Sequence, residues 1–240
     1  MKKKYLLIVV LATLFNYSEI IAQCAQVAPY TEDFDAAAGS LPACWSQGSS
    51  NAEDWQFGDS STTNHVGDNG DFLGTVSDSG GYYAYVDDST PDNLGTTLES
   101  PMVDVSALTT PALSFYMISD NEGNSNVSFS VDFYDGSNWN TGIFTSSSNT
   151  SGWVKVYVDL STYTITGDVQ VRFIVDEDNT SGHYYDDVAI DDVSIDEFPS
   201  CVEPSYMTVS AIGSDSADLG WTENGSASLW NVEVVMAGTS

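Results

Sequence analysis

Apolar residues recur at every second position in one segment after another, and this alternation constrains the chain more than any other feature. Leu113, Phe115 and Met117 share a face. Val127, Phe129, Val131 and Phe133 do the same, as do Val154, Val156, Val158 and Leu160, with Trp153, Lys155, Tyr157 and Asp159 opposite them. Val169, Val171, Phe173 and Val175 form a further run, and Tyr82, Ala84 and Val86 alternate with Tyr83 and Tyr85. Side chains of a strand point to opposite faces in turn, so each run reads as a strand with one buried face. Beyond the N-terminal segment no three-and-four spacing marks an amphipathic helix. Gly, Ser, Asn and Asp gather between the runs, over residues 120–126 and 146–152 for example, where they suit turns by tolerating positive φ or bonding their own backbone. The expected fold is all-β, a jelly-roll-like β-sandwich with most aromatics in its core.

Two flanking regions fall outside that pattern. Lys2, Lys3 and Lys4 precede an almost wholly apolar run over residues 6–15, and small Ala22 supplies a cleavage position. This is the pattern of a secretory signal peptide over residues 1–22. A membrane-spanning helix needs about 20 apolar residues, and Asn16, Tyr17, Ser18 and Glu19 interrupt the run too early. The mature chain is therefore expected to be secreted or displayed at a cell surface, with no membrane insertion. Residues 23–198 carry the first sandwich. Pro199 and Pro204 stiffen a short linker. After it Met207, Val209 and Ala211 alternate, then Ala217, Leu219 and Trp221, then Trp230, Val232 and Val234. Three strands over residues 199–240 are too few for a sandwich of about seven. An incomplete second β-sandwich is expected there, and the sequence is expected to be a fragment of a longer protein.

Charge narrows the function. Five Lys and Arg stand against 35 Asp and Glu, a formal charge of −30. Removal of the leader leaves Lys155 and Arg172 as the only basic side chains. Such a chain lacks the basic face that nucleic acid or an anionic membrane surface requires. Self-repulsion at this density opposes compaction. Bound Ca²⁺ or a salty, screening medium would relieve it, and a merely soluble acidic surface is the plainer account.

Catalytic constellations are missing from the sequence. It has two His, at positions 65 and 183, and no His-Glu-x-x-His, Cys-x-x-Cys or Gly-x-Ser-x-Gly. Gly58-Asp59-Ser60 reads as a turn, and acids are too numerous to nominate a glycosidase pair. Ca²⁺ is the best chemical candidate, because it takes six to eight oxygens from carboxylates and carbonyls. Asp35 lies in the first strand pattern and Asp191 and Asp192 in the last, which a sandwich would bring together by pairing its terminal strands. Val188 and Ile190 are out of phase with Val193 and Ile195, so a bulge at Asp191-Asp192 would aim carboxylates inward. Asp68 and Asp71 are secondary candidates. The stretch over residues 176–187 is not an EF-hand, since Gly182 sits at position seven and no Glu closes the loop. Three cysteines, Cys24, Cys44 and Cys201, allow three single pairings and leave one thiol over.

An ordered set of landmarks resembles the MAM domain, the extracellular module of meprins, neuropilins and receptor phosphatases. Asp33-Phe34-Asp35 is similar to the family's opening Asp-Phe-Glu. Cys44-Trp45, Asp54-Trp55, the Tyr-rich 82–87 segment, Leu98-Glu99-Ser100-Pro101, the 113–117 strand, Trp153 and Ala189-Ile190-Asp191-Asp192-Val193 follow in the family's order. The resemblance implies a Cys24–Cys44 disulfide, a structural cation at Asp35 and the Asp191-Asp192 pair, and an adhesive or oligomerising role. The family's second disulfide is not expected, because Pro111 and Ala112 stand where its Cys would precede the strand. From Cys201 onward the chain resembles the first half of a fibronectin type III repeat.

The expected function is a non-catalytic extracellular adhesion or binding module whose partner is a protein or glycan. The alternative is an accessory, substrate-targeting domain of a secreted protease or glycan-active hydrolase whose catalytic part lies beyond Ser240. Trp139 and Tyr83 are the aromatics on which a sugar would stack if exposed, and packing is the plainer role for both.

Overall fold

A computed structural model describes residues 24–48, 54–58, 81–86, 95–120, 128–150, 152–176, 187–202, 204–225 and 227–232. The leader, Asp68, Asp71 and both histidines lie outside the described residues. The chain divides into two compact units, one ending at Phe198 and one beginning at Pro199.

The first unit is a β-sandwich, and alternation becomes its two-layer core directly. One sheet has the strand order β10 (Trp139–Ser146), β9 (Ser128–Tyr134), β12 (Gln170–Asp176), β6 (Thr96–Glu99), β3 (Ser46–Gly48). The other runs β11 (Val154–Asp159), β8 (Pro111–Asp120), β13 (Asp187–Glu197), β5 (Tyr83–Val86), β4 (Gln56–Gly58), with β2 (Tyr30–Glu32) also on β13. From β8 onward the chain passes back and forth between the sheets, as in a jelly roll. A short parallel pair, β1 (Gln26–Val27) with β7 (Val103–Asp104), closes one side. Leu98, Phe129, Val131, Phe133, Val171 and Phe173 from the first sheet meet Leu113, Phe115, Met117, Ile190 and Ile195 from the second, all buried. At about 25 cal/mol per Å² of apolar surface removed from water, this contact is the main stabilising term.

The outward faces are also organised. Arg172, the chain's one arginine, pairs with Asp132 at 2.7 Å and Glu99 at 3.5 Å, and its guanidinium lies 4.3 Å from the ring centroid of Trp139. Trp139 also packs on Tyr134, at 5.5 Å. On the other sheet Tyr83 is 1% exposed and packs edge-on against Tyr85 and Trp153. The two aromatics considered as sugar platforms are thus packed against neighbours.

Cys24 and Cys44 form a disulfide, and Cys201 is an exposed free thiol. The bridge spans 20 residues of sequence and ties the start of the sandwich to the turn before Trp45. Closing a loop of that size is worth about 3 kcal/mol. Cys44→Ser should lower the urea midpoint of the native chain, with a slope that stays equal or rises as the unfolded chain expands, and reductant should reproduce the shift in the parent chain.

The second unit holds one antiparallel pair, β14 (Ser205–Ser210) and β15 (Asp218–Thr222). The third strand expected at Trp230–Val234 is not formed over its described part, residues 230–232. Trp230 instead packs against Trp221 at 5.2 Å and donates its Nε1–H to Glu223 at 2.9 Å. Among the described residues no helix is long and apolar enough to cross a membrane.

Candidate functional site

Strand β13 changes partner halfway along, and the site lies at the change. Its first half pairs with β5, Val188–Ile190 against Val86, Tyr85 and Ala84. Its second half pairs with β2, Val193–Ile195 against Glu32, Thr31 and Tyr30. Between them the register on the opposite neighbour, β8, shifts between Asp191 and Ser194, and Asp192 takes a left-handed φ of 48°. This is a β-bulge: the extra residue lets Val188 and Ile190 face the same core as Val193 and Ile195 despite their opposite parity.

The bulge buries a carboxylate. Asp191 is 6% exposed and accepts a 2.7 Å hydrogen bond from the Asp192 backbone N–H. Burial, partly offset by that hydrogen bond, pushes its pKa from 3.8 up to about 8, with the charges of Asp192, Asp35 and Asp33 adding to the rise. Three acids thus bear electrostatically on one buried acid.

Asp33 and Asp35 arrive there from the end of β2. Phe34 is left-handed at φ 58°, which sends its ring into the core against Trp45 and Phe57, at 5.6 and 5.8 Å. The flanking acids stay outside that packing. Asp35 opens a short 3₁₀ turn, Asp35–Ala37, and its Oδ1 accepts from the Tyr82 N–H at 2.6 Å. Its carboxylate lies directly over Gly81, where a Cβ would displace it. Asp33 in turn accepts from the Asp35 N–H at 3.1 Å. Beneath them Glu32 accepts from the Phe34 N–H at 2.9 Å, and burial raises its pKa. Burial also raises the Tyr30 phenol, which accepts the Trp45 Nε1–H at 2.8 Å.

The structure thus brings Asp35 and Asp192 within electrostatic reach of the buried Asp191, and adds Asp33 and, coupled to Asp33, the half-buried Glu32, both of which sequence reasoning missed. Asp33 was within reach of that reasoning, being two residues from Asp35 in the same motif. Glu32 was not, because its burial follows from the pairing with Val193. Asp68 and Asp71 lie outside the described residues. Among the described residues no group of three or more His, Cys, Asp or Glu side chains is placed to hold a metal ion.

Comparison with known proteins completes the description. The family model for the MAM domain, meprin/A5/mu, matches residues 33–201. Among solved structures, the K2 cleaved adhesin domain of Lys-gingipain superposes with a TM-score of 0.51 at 17% identity, covering 71% of this chain and 99% of that domain. The K1 cleaved adhesin domain of Lys-gingipain from Porphyromonas gingivalis W83 superposes with a TM-score of 0.50 at 14% identity, covering 72% of this chain and 99% of that domain. No curated protein sequence matches the chain significantly. At such identities the two adhesin domains establish a shared fold.

Proposed function

The chain belongs to the MAM domain family over residues 33–201, and on that premise we propose that it is an extracellular adhesion module whose sandwich is locked by a structural Ca²⁺. It is a non-catalytic binding module. The observation that carries the reading is the span of the family match, which takes in both acidic segments, Asp33–Asp35 and Asp191–Asp192, that meet at the β13 bulge. The adhesin likeness favours adhesion among the roles open to such a module. A disulfide between Cys24 and Cys44 suits an exported protein, because such bonds persist in oxidising compartments.

Asp35, Asp191 and Asp192 would hold the ion, with Asp33 as a further oxygen donor beside them. A divalent cation there supplies positive charge to carboxylates that otherwise repel one another. The chain's own part is to hold β2, β5 and β13 around the bulge, so that the ion would act as a clasp between the ends of the sheet.

Thermal unfolding of the chain with CaCl₂ against EDTA, at matched ionic strength, tests this. An ion that binds only the folded form raises the midpoint with its concentration. A stabilisation of 1–2 kcal/mol would raise the midpoint by about 2–8 °C in a unit of this size. Asp35→Ala or Asp192→Ala should abolish the rise. An unchanged midpoint overturns the cation site. Adhesion is tested separately, by retention of chain-coated beads on surfaces bearing extracellular-matrix protein.

A further inference from the structure

A second concavity lies in the first unit, built from segments that the acidic site does not use. The segment after β7 forms one wall and the segment leading into β12 the other. They are joined by a two-way backbone bridge, the Val103 N–H to the Val169 carbonyl at 2.8 Å and the Val169 N–H to the Val103 carbonyl at 2.9 Å. The cleft between them has a volume of about 610 Å³, within the range of about 300–1,000 Å³ typical of ligand sites. Val105, Leu108, Tyr163 and Ile165 give it an apolar floor, and Asp104 and Asp168 stand at its rim. The Tyr163 ring is braced from behind by Phe133, with centroids 5.4 Å apart, so the floor is set by the core. No Lys or Arg lines the cleft. The Ser106 N–H bonds the Asp104 carboxylate at 2.8 Å and, with the Ser106 hydroxyl, lowers its pKa, keeping it ionised.

We propose that this cleft receives a Lys or Arg side chain presented by an extended segment of a protein partner, a reading that rests on the module's adhesive role. The warrant is the match of chemistries. A basic side chain is an apolar stem with a cationic head, and it lays its methylenes along apolar surface while the head stays at the polar edge. The floor and the two rim carboxylates offer these two halves in the same order. A chain with 35 acids and 5 basic residues also steers basic partners toward itself. A neutral sugar can hydrogen-bond these carboxylates but brings no charge to compensate them.

The test is an NMR titration of the ¹⁵N-labelled full chain at low ionic strength. The probes are a blocked Gly-Arg-Lys-Gly tetrapeptide, its norleucine counterpart and lactose. The tetrapeptide should saturate shifts of the Ser106 and Gly167 amides, and the norleucine peptide should not. Asp104→Asn combined with Asp168→Asn should weaken the tetrapeptide about fivefold, as loss of two exposed ion pairs implies. Asp168→Asn alone, which leaves the Ser106 turn intact, should give part of that loss. Asp215→Asn, in the other unit, should leave the affinity unchanged. Equal affinity in the double variant, or saturation by lactose and not by the peptide, overturns the proposal. Bead retention separates the two readings. Retention unchanged in the double variant overturns the cleft and leaves adhesion standing, whereas a filled cleft with no retention on any protein surface overturns adhesion.

Discussion

Phe115→Ala is expected to remove a third or more of the first unit's stability. Phe115 is fully buried on β8 and touches rings from three other strands, Phe129, Phe144 and Phe173, at centroid distances of 6.2, 5.7 and 5.2 Å. It is the ring through which the two sheets grip each other. Truncating such a phenylalanine costs about 3–5 kcal/mol, as lost transfer energy plus the cavity that remains. A domain has about 5–15 kcal/mol in total. The urea midpoint should fall by a third or more with little change in slope. Phe115→Leu, which keeps most of the volume, should recover over half of the loss. A midpoint shift below about 1 kcal/mol would mean that the cluster is not the joint between the sheets.

The second large effect is a dependence of stability on pH that Ca²⁺ inverts. In EDTA, Asp191 holds its proton up to about pH 8 in the folded chain, against 3.8 as its ordinary value. The folded state therefore binds more protons than the unfolded state between those limits, and stability falls as pH rises through them. Its contribution is full below pH 3.8 and gone above about pH 8. At about 1.4 kcal/mol per pKa unit, the swing has an upper bound of about 6 kcal/mol. Glu32, raised by burial, acts in the same direction. Glu197 and Asp135, both lowered by hydrogen bonds, act oppositely, losing their contribution as pH falls below the usual carboxylate range. Asp191→Asn should thus stabilise the chain in EDTA at pH 8 and weaken the response to CaCl₂. Stability that rises from pH 5 to 8 in EDTA would contradict the burial of a charged Asp191.

The alternating runs carried most of the first unit in plain view. Strands at 113–117, 129–133, 154–158 and 171–175 were legible because a half-buried strand must alternate and little else does. Their pairing was not legible. Nothing in the sequence places β12 between β9 and β6 rather than beside β13, since any two apolar faces satisfy each other equally well on paper. The candidate site shows the same limit. Asp191 and Asp192 drew attention because the parity of the flanking apolar residues breaks there, and a broken parity has few physical causes besides a bulge. Glu32 carried no such mark, because its burial is a tertiary fact. Packing was the plainer role for Trp139, but its partner was not legible: Arg172 lies one strand removed in space and 33 positions away in sequence. Trp230 read as a strand residue because alternation over three positions is too short to exclude a local ring pair such as Trp221–Trp230.

Strand β13 is the last of the first unit and lies at the middle of its sheet, between β8 on one side and β5 and β2 on the other. That position sets a timetable. On the ribosome β2 emerges early and its ladder partner emerges last. At about 5–20 residues per second, the wait is on the order of 10 s. During it β5 has only β4 beside it, and the β8 edge that β13 will occupy is open. Because β13 fills the middle of its sheet, that sheet cannot close until residue 197 has been made.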